Sequence, residues 1–122
     1  MNFIFHHVGI PVTEARDNER YSPRFKMYTS GGEAPWRIQF HRFDKDSPLH
    51  PLLKTRPHVA FKVDNLEDAI AGKRVLLEPY FPFEGFKVAA IEEHGAVIEL
   101  IETSLSEEVI WDEEQHKNST IY

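Results

Sequence analysis

His6-His7-Val8-Gly9-Ile10-Pro11-Val12 stands near the start of the chain, and Pro57-His58-Val59-Ala60-Phe61-Lys62-Val63 stands in its second half. Both stretches follow the pattern His-Val-small-apolar-x-Val, which is typical of a β-strand. Each has a shorter echo later in its own half, Arg37-Ile38-Gln39-Phe40 in the first and Val97-Ile98-Glu99-Leu100 in the second. A repeat of about half a domain indicates two similar modules. Because each copy opens with a His and closes with a residue that can bind a metal, the repeat predicts one metal centre built by both modules.

Strand parity places the polar residues of this repeat on one side of the sheet. Successive side chains of a strand point to opposite faces, so the apolar residues that alternate with these positions take the helix-packed face. If the two modules pair into one curved sheet, four polar side chains converge in its concavity: His7, Gln39, His58 and Glu99.

The chemistry of this set favours a divalent metal. The chain contains no Cys, so a metal must be held by His, carboxylate or amide oxygen, which favours Zn, Ni, Co, Mn or Fe. A metal of this kind polarises a carbonyl, and a carboxylate beside it moves a proton. Glu99 is the expected proton carrier, because a carboxylate flanked by Val97 and Ile101 on its own face is costly to bury without a partner.

The bulk properties limit the class of protein. A chain of 122 residues fits one domain, and its formal net charge of −6 argues against a nucleic-acid partner. No apolar run is long enough to span a membrane, and no leader with a cleavage site is visible. We therefore expect a cytoplasmic protein with a small-molecule substrate and no membrane partner, and we also expect a homodimer.

The order of predicted elements gives an α+β fold, in which two paired βαβββ modules form one curved mixed sheet around a concave site. Module one is placed at about residues 1–54 and module two at about 55–104, so that 1–104 form a single domain. The helix of module one, over Thr13–Arg20, is expected to be short. The capping-box spacing of Asp64-Asn65-Leu66-Glu67 opens the helix of module two.

Three further segments complete the predicted organisation. Asp44–Pro57, with three prolines, is expected to be a connector without regular structure. Pro79–Gly85 is expected to be a loop, which next to a concave sheet is a candidate substrate lid. Residues 105–122 are predicted to form a C-terminal helix and tail, with an amphipathic helix over Ser104–Glu114 and frayed final residues.

The chain resembles the vicinal oxygen chelate superfamily over roughly residues 3–102. This superfamily includes glyoxalase I, methylmalonyl-CoA epimerase, fosfomycin-resistance enzymes and extradiol dioxygenases. The resemblance is carried by His6–Ile10, His58–Leu66 and Val97–Glu102, and Asp46-Ser47-Pro48-Leu49 looks most like the glyoxalase and epimerase branch. It implies that the metal ligands are His7, Gln39, His58 and Glu99.

The resemblance implies a metal-dependent lyase or isomerase that acts on a small carbonyl-containing substrate, with Glu99 as the catalytic residue. Epimerases of the family carry a second catalytic Glu on the strand before the Gln-bearing one, and the corresponding stretch Arg24–Thr29 has no carboxylate. Two alternatives therefore stay open. One is a metal-free protein that binds a small, antibiotic-like molecule, and the other is a dioxygenase or thiol transferase of the same superfamily.

Other polar residues have simpler interpretations. His6 has the opposite parity to His7 and is expected to be structural, while His50 in the connector and His94 in a turn are expected to be exposed. Gln39 has an alternative interpretation too, because Arg37 and His41 on its face would suit a solvated surface.

Overall fold

The structure, a computed structural model, describes residues 1–112. Eight strands and three short helices follow one another as β1 (Phe3–Val12), β2 (Arg20–Ser22), β3 (Met27–Gly31), β4 (Ile38–Phe43), α1 (Pro51–Thr55), β5 (His58–Val63), α2 (Leu66–Ile70), β6 (Arg74–Phe83), β7 (Phe86–Glu93), β8 (Ala96–Thr103) and α3 (Glu107–Ile110). The strands form one mixed, curved sheet in the order β2-β3-β4-β1-β5-β8-β7-β6. The predicted α+β fold with one curved mixed sheet is confirmed.

The two halves of the sheet have the same internal arrangement. In the first, β1 runs parallel to β4, and β4 pairs with β3 and β3 with β2 in antiparallel fashion. In the second, β5 runs parallel to β8, and β8, β7 and β6 continue antiparallel. The first strands of the two halves, β1 and β5, lie side by side and antiparallel at the centre. The repeat seen in the sequence is therefore an approximate twofold relation between two four-stranded modules.

Two apolar clusters cover the two faces of the second half. On the convex face, α2 packs against β7 and β8 through Leu66, Ile91 and Leu100. Asn65 caps α2 by accepting a hydrogen bond from the amide of Asp68, close to the predicted start of this helix. On the concave face, a larger cluster joins β7 and β8 to α3 and to the connector, and its buried members include Phe86, Val88, Ile101, Ile110 and Leu49.

Module one differs from the prediction between β1 and β2. The short helix expected over Thr13–Arg20 is absent, and this segment forms bends and turns. Its sequence is polar and offers no apolar stripe to pack on the sheet, so helix formation gains little from burial. As a result β4 keeps a partly exposed convex face: Ile38 is exposed, and the Arg16 guanidinium lies 3.7 Å from the centre of the Phe40 ring.

Three other segments also differ. Pro79–Gly85 was predicted as a loop and lid, but β6 runs on to Phe83. Tyr80 and Phe83 are buried and pair with β7, and the two prolines lie at register shifts. The connector contains α1, with His50 as its N-cap and Pro51 in its first turn.

The predicted helix over Ser104–Glu114 is observed only as α3, which Ser106 caps. Residues 113 and 114 and the predicted tail lie outside the described residues. Between Met1 and Asp112, no helix has the length and apolar character needed to cross a membrane.

Candidate metal centre

The central pairing of β1 with β5 explains the His-Val-small motif. In this antiparallel register His7 lies opposite Ala60, and Gly9 lies opposite His58. Each copy of the motif therefore sets its His beside the small residue of the other copy. Residues directly opposite one another share a face of the sheet, so both imidazoles lie on the same concave side.

The space for the second imidazole depends on Gly9. A Cβ atom built on Gly9 would lie 2.1 Å from Cε1 and 2.5 Å from Nε2 of His58. These separations are far shorter than van der Waals contact, so the ring of His58 occupies the volume that a side chain at position 9 would need. The small residue of the motif is therefore required by the His of the other module.

Each of the two cross-strand pairs, His7 with Ala60 and His58 with Gly9, is extended by a polar residue on a third strand. The two added strands lie on opposite sides of the central pair. Glu99 on β8 lies beside Ala60, in the row that starts at His7. Gln39 on β4 lies beside Gly9, in the row that starts at His58. Gln39 and Glu99 are thus equivalent positions of the two modules. The strand parity inferred from the sequence for all four polar residues agrees with this register.

Three of the four predicted ligands converge closely. Nε2 of His7 lies 3.3 Å from Oε2 of Glu99, and Nε2 of His58 lies 3.6 Å from Oε1 of the same carboxylate. One potential ligand atom from each of His7, His58 and Glu99 lies within 4.8 Å of the other two. His7 and Glu99 are buried, whereas His58 is half-buried and reaches the edge of a cavity.

The electrostatic surroundings keep both imidazoles neutral. Burial lowers the pKa of His58 to about 4. Burial also lowers the pKa of His7 well below its usual value, with smaller contributions from His58, His6 and His41. A neutral imidazole offers a lone pair to a metal. At neutral pH these two residues are therefore in the protonation state that metal binding requires.

Unsatisfied buried atoms provide a test of whether a cation fits here. Among residues 1–112, His58 Nε2 and the side-chain nitrogen of Gln39 are buried and make no hydrogen bond. Burying such groups without a partner is costly, and a cation beside His58 Nε2 would satisfy it. The donor set of two imidazoles and one carboxylate is also one that Zn and non-haem Fe commonly use. The residues present therefore fit a divalent metal, and the role of Gln39 as a fourth ligand stays a prediction.

A cavity opens beside this cluster. It is lined by His58, Glu99 and His41, and otherwise by apolar side chains from both modules and from α1, namely Met27, Phe43, Leu49, Leu53, Leu77, Ala90 and Val97. The enclosed part of the cavity is small, about 30 Å³, and it opens to solvent. Glu99 is the only carboxylate that lines it among the described residues.

His41 is the polar residue of this cavity that the sequence analysis did not assign to the site. Its ring stacks on His58 with the centroids 5.4 Å apart, and its Nδ1 is hydrogen-bonded to Thr29 Oγ1 at 3.1 Å. His41 Nε2 is buried and makes no hydrogen bond among the described residues. The alternative of a solvated face around Gln39 is wrong, because Gln39 and His41 are both buried. The signal was available, since position 41 has the same strand parity as position 39.

Three other histidines lie within residues 1–112. His94 is exposed, as expected. His50 is partly buried and caps α1 by accepting a hydrogen bond from the amide of Leu52. His6 is buried and contacts His7 directly, with their Nδ1 atoms 2.9 Å apart.

Comparison with solved structures identifies similar folds. A hypothetical protein from Bacillus halodurans C-125 matches with a TM-score of 0.60 and 18% identity, over 87% of this chain and 98% of that one. Methylmalonyl-CoA epimerase from Mycobacterium tuberculosis matches with a TM-score of 0.55 and 19% identity, over 83% of this chain and 88% of that one. The sequence matches no protein-family model and no curated protein. The chain therefore shares its fold with these two proteins, and methylmalonyl-CoA epimerase is one of the enzymes that the sequence resemblance named.

Proposed function

We propose that this protein is a metal-dependent lyase or isomerase of the glyoxalase and epimerase type, which acts on a small carbonyl-containing substrate by proton transfer. The observation that carries the proposal is the cluster of His7, His58 and Glu99, whose ligand atoms lie within 4.8 Å of one another beside a small cavity. The fold shared with a methylmalonyl-CoA epimerase supports the isomerase class.

The residues of the cluster have distinct roles in this proposal. His7 and His58, neutral at physiological pH, hold one divalent metal together with Glu99, and Gln39 is the proposed fourth ligand. A bound divalent metal supplies Lewis acidity, which makes the C–H next to a carbonyl more acidic. Glu99 takes up the proton from that carbon and returns it, because no other carboxylate of the described residues faces the cavity.

The cavity wall adapts the site to such a substrate. Its largely apolar lining lowers the local dielectric and strengthens the electrostatic contacts inside. His41 Nε2 is positioned as a polar contact for a substrate oxygen, since Thr29 already engages the other ring nitrogen. Because the hydrogen bond to Thr29 fixes the imidazole of His41 through Nδ1, its Nε2 can orient a bound molecule.

The proposed chemistry uses one base. Epimerases of the family use a second Glu, but β3 carries no carboxylate at any of its five positions. A single base that removes and returns a proton beside the metal suits an isomerisation or a lyase reaction on one face of the substrate. The small-molecule substrate, a homodimeric assembly and a cytoplasmic location belong to the same proposal.

A metal-free binding protein is the alternative that the apolar cavity favours, because an apolar wall also suits the simple capture of a hydrophobic molecule. The two functions differ in metal content and in proton exchange. Purified protein should be reconstituted with Zn²⁺, Ni²⁺, Co²⁺, Mn²⁺ and Fe²⁺, and its metal content measured. The proposal expects close to one metal per chain.

The second measurement is solvent deuterium exchange into a panel of 2-oxo and thioester compounds, for the wild type and for Glu99→Gln. The amide keeps an oxygen ligand but has no basicity, so we expect metal to be retained and exchange to fall by a factor on the order of 10² to 10⁴. Equal exchange rates in the two proteins, both loaded with metal, would remove Glu99 as the base. Negligible metal content would favour the binding protein, and oxygen consumption by the iron-loaded form would favour a dioxygenase.

A further inference from the structure

The first part of β1 is exposed on both faces of the sheet. Phe3, Ile4 and Phe5 expose 58%, 57% and 51% of their surface. Phe3 and Phe5 lie on the convex face with Phe61, and Ile4 lies on the opposite face. A continuous apolar run of this kind is typical of a strand that is buried on both sides. The segment is therefore far more exposed than its sequence predicts.

The backbone of the same segment has a neighbouring strand on one side only. β5 pairs with β1 from Phe3 onwards, whereas β4 pairs with it only from Val8 onwards. Within residues 1–112, no strand pairs with Phe3–Phe5 on the β4 side. In a strand that is paired on one side, alternate N–H and C=O groups point away from the partner. The segment is thus a sheet edge that combines outward backbone groups with apolar side chains.

The two outer edges of the sheet are protected in ways that this edge is not. β6 carries Pro79 and Pro82 at its register shifts, and β2 is only three residues long and contains Arg20. Proline, irregular pairing, short length and charge are the usual means of preventing edge-to-edge pairing. Phe3–Phe5 contains no proline, no glycine and no charge. This contrast favours a β1 edge that pairs with a partner.

Apolar surface continues from this edge onto the start of β4. Ile38 lies beside Val8 on the convex face and is 36% exposed. Trp36, two residues earlier, exposes 74% of its surface. The carbonyl of Arg37, between them, accepts a hydrogen bond from the amide of Val8, which places this part of the chain next to β1. The edge and these residues form one surface, the β1 edge patch, which consists of Met1, Phe3, Ile4, Phe5, Trp36 and Ile38.

The exposed area of the β1 edge patch is close to what a dimer needs. An aromatic side chain has roughly 150–250 Å² of surface, so at the observed exposures its three aromatic residues leave roughly 350 Å² uncovered. The aliphatic members add to this area. A standard dimer interface buries about 800 Å² on each partner, of which about 60% is apolar. The patch therefore supplies most of the apolar surface of such an interface.

We propose that a second copy of this chain covers the β1 edge patch, with the Phe3–Phe5 segments of the two copies paired in antiparallel fashion about a twofold axis. An edge that pairs with its own copy in this way makes a contact that closes at two subunits. The segment has no charged side chain, so no like-charge repulsion opposes this pairing. The dimer is the homodimeric assembly of the proposed function, on which the inference rests in that respect, and it does not require a bound metal.

Sedimentation velocity of the full chain over a range of concentrations tests the inference. We expect the wild type to sediment as a dimer of the 14.2 kDa chain. Ile4→Lys and Phe5→Lys should each raise the Kd of the dimer by roughly 30-fold or more, the effect of losing a residue at the centre of an interface. Phe81→Lys is the matched control, because Phe81 is also 56% exposed but lies on β6, and it should leave Kd unchanged.

Hydrogen exchange supplies a readout that needs no substitution. In the wild type, the amides of Phe3–Phe5 should exchange more slowly above the Kd of the dimer than below it, whereas the amides of Arg20–Ser22 should exchange equally. A monomeric wild type, an assembly larger than a dimer, or equal exchange of Phe3–Phe5 in monomer and dimer would overturn the inference. A dimer that dissociates in Phe81→Lys and persists in both β1 variants would also overturn it.

Metal content measured on the same samples separates this inference from the proposed chemistry. A dimer that dissociates as expected but binds no metal retains the β1 edge patch as the interface and removes the metal-dependent function. A monomer that binds one metal per chain does the reverse.

Discussion

Gly9 and His58 face each other across the central strand pair, and the imidazole of His58 fills the place where any larger residue at position 9 would carry its Cβ. The backbone of Gly9 is not in the left-handed region, so Ala is compatible with the local conformation. A substitution at this position therefore reports on the contact alone.

We expect Gly9→Ala to displace the ring of His58, to lower the free energy of unfolding by about 1–3 kcal/mol, and to weaken metal binding. The comparison that isolates the contact is Gly9→Ala in a His58→Ala background, measured by urea unfolding of the metal-free protein. With the imidazole gone, the added methyl should cost much less. Equal costs in the two backgrounds would show that the destabilisation has another origin.

Metal content should depend on the two histidines of the repeat. His7→Ala and His58→Ala should each lower the affinity for Zn²⁺ by more than the roughly 10–100-fold typical of losing an outer-shell partner, because each removes a ligand. His94→Ala is the matched control, since that side chain is 91% exposed and does not belong to the cluster. The quantity to measure is Kd by competition with a chelator, and an unchanged Kd in either ligand variant would contradict the assignment.

Acid should destabilise the metal-free protein. The pKa of His58 is about 4 in the folded chain and 6.5 when unperturbed, so between these values the unfolded chain binds a proton that the folded chain does not. The free energy of unfolding should therefore be highest above about pH 6.5 and fall as the pH is lowered towards 4. For His58 alone, the free energy of unfolding is lower at pH 5 than at neutral pH by about 2 kcal/mol.

His7 and His41 act in the same direction, because burial lowers the pKa of each well below its usual value. The measurement is chemical unfolding with a chelator present at pH 7.5 and at pH 5. His58→Asn should reduce the difference between the two values, and His94→Gln should not. A stability that stays constant over this interval would show that the buried rings are not neutral.

His41 should affect substrate binding and leave the metal in place. His41→Phe keeps a ring against His58 and removes the nitrogen that faces no hydrogen-bond partner among the described residues. Loss of one hydrogen bond of about 1–2 kcal/mol corresponds to a rise of roughly 5–30-fold in KM, measured with whichever compound of the exchange panel turns over. Thr29→Val, which only releases the ring, should have a smaller effect. A loss of bound metal in His41→Phe would make His41 a ligand.

The sequence was sufficient for those parts of the site that a periodic pattern determines. Strand parity and the repeat together predicted that His7, His58 and Glu99 share a face, and the register confirms it, because a period of two leaves only two possible faces. The sheet was predicted for the same reason, whereas the helix after β5 was predicted from the capping-box spacing that precedes it. The internal repeat of the sequence also predicted that the two modules pair into one sheet.

Features that depend on contacts between distant segments could not be predicted in the same way. His41 lay within the pattern but was interpreted as solvated, since its burial depends on apolar residues of the connector, such as Leu49. Strand parity also does not show that Glu107, a hundred residues later in the chain, reaches His6. The extension of β6 through its prolines likewise depends on pairing with β7.

The approximate twofold relation of the modules sets Gln39 and Glu99 at equivalent positions on either side of the His7 and His58 pair. The backbone is nearly symmetric there, but an amide and a carboxylate are not. A molecule held across that axis meets an anionic, proton-accepting flank on one side and a neutral flank on the other. The two sides of the site therefore differ in chemistry although their backbone positions are equivalent, and a substrate has its reactive hydrogen beside a carboxylate only when that hydrogen faces Glu99.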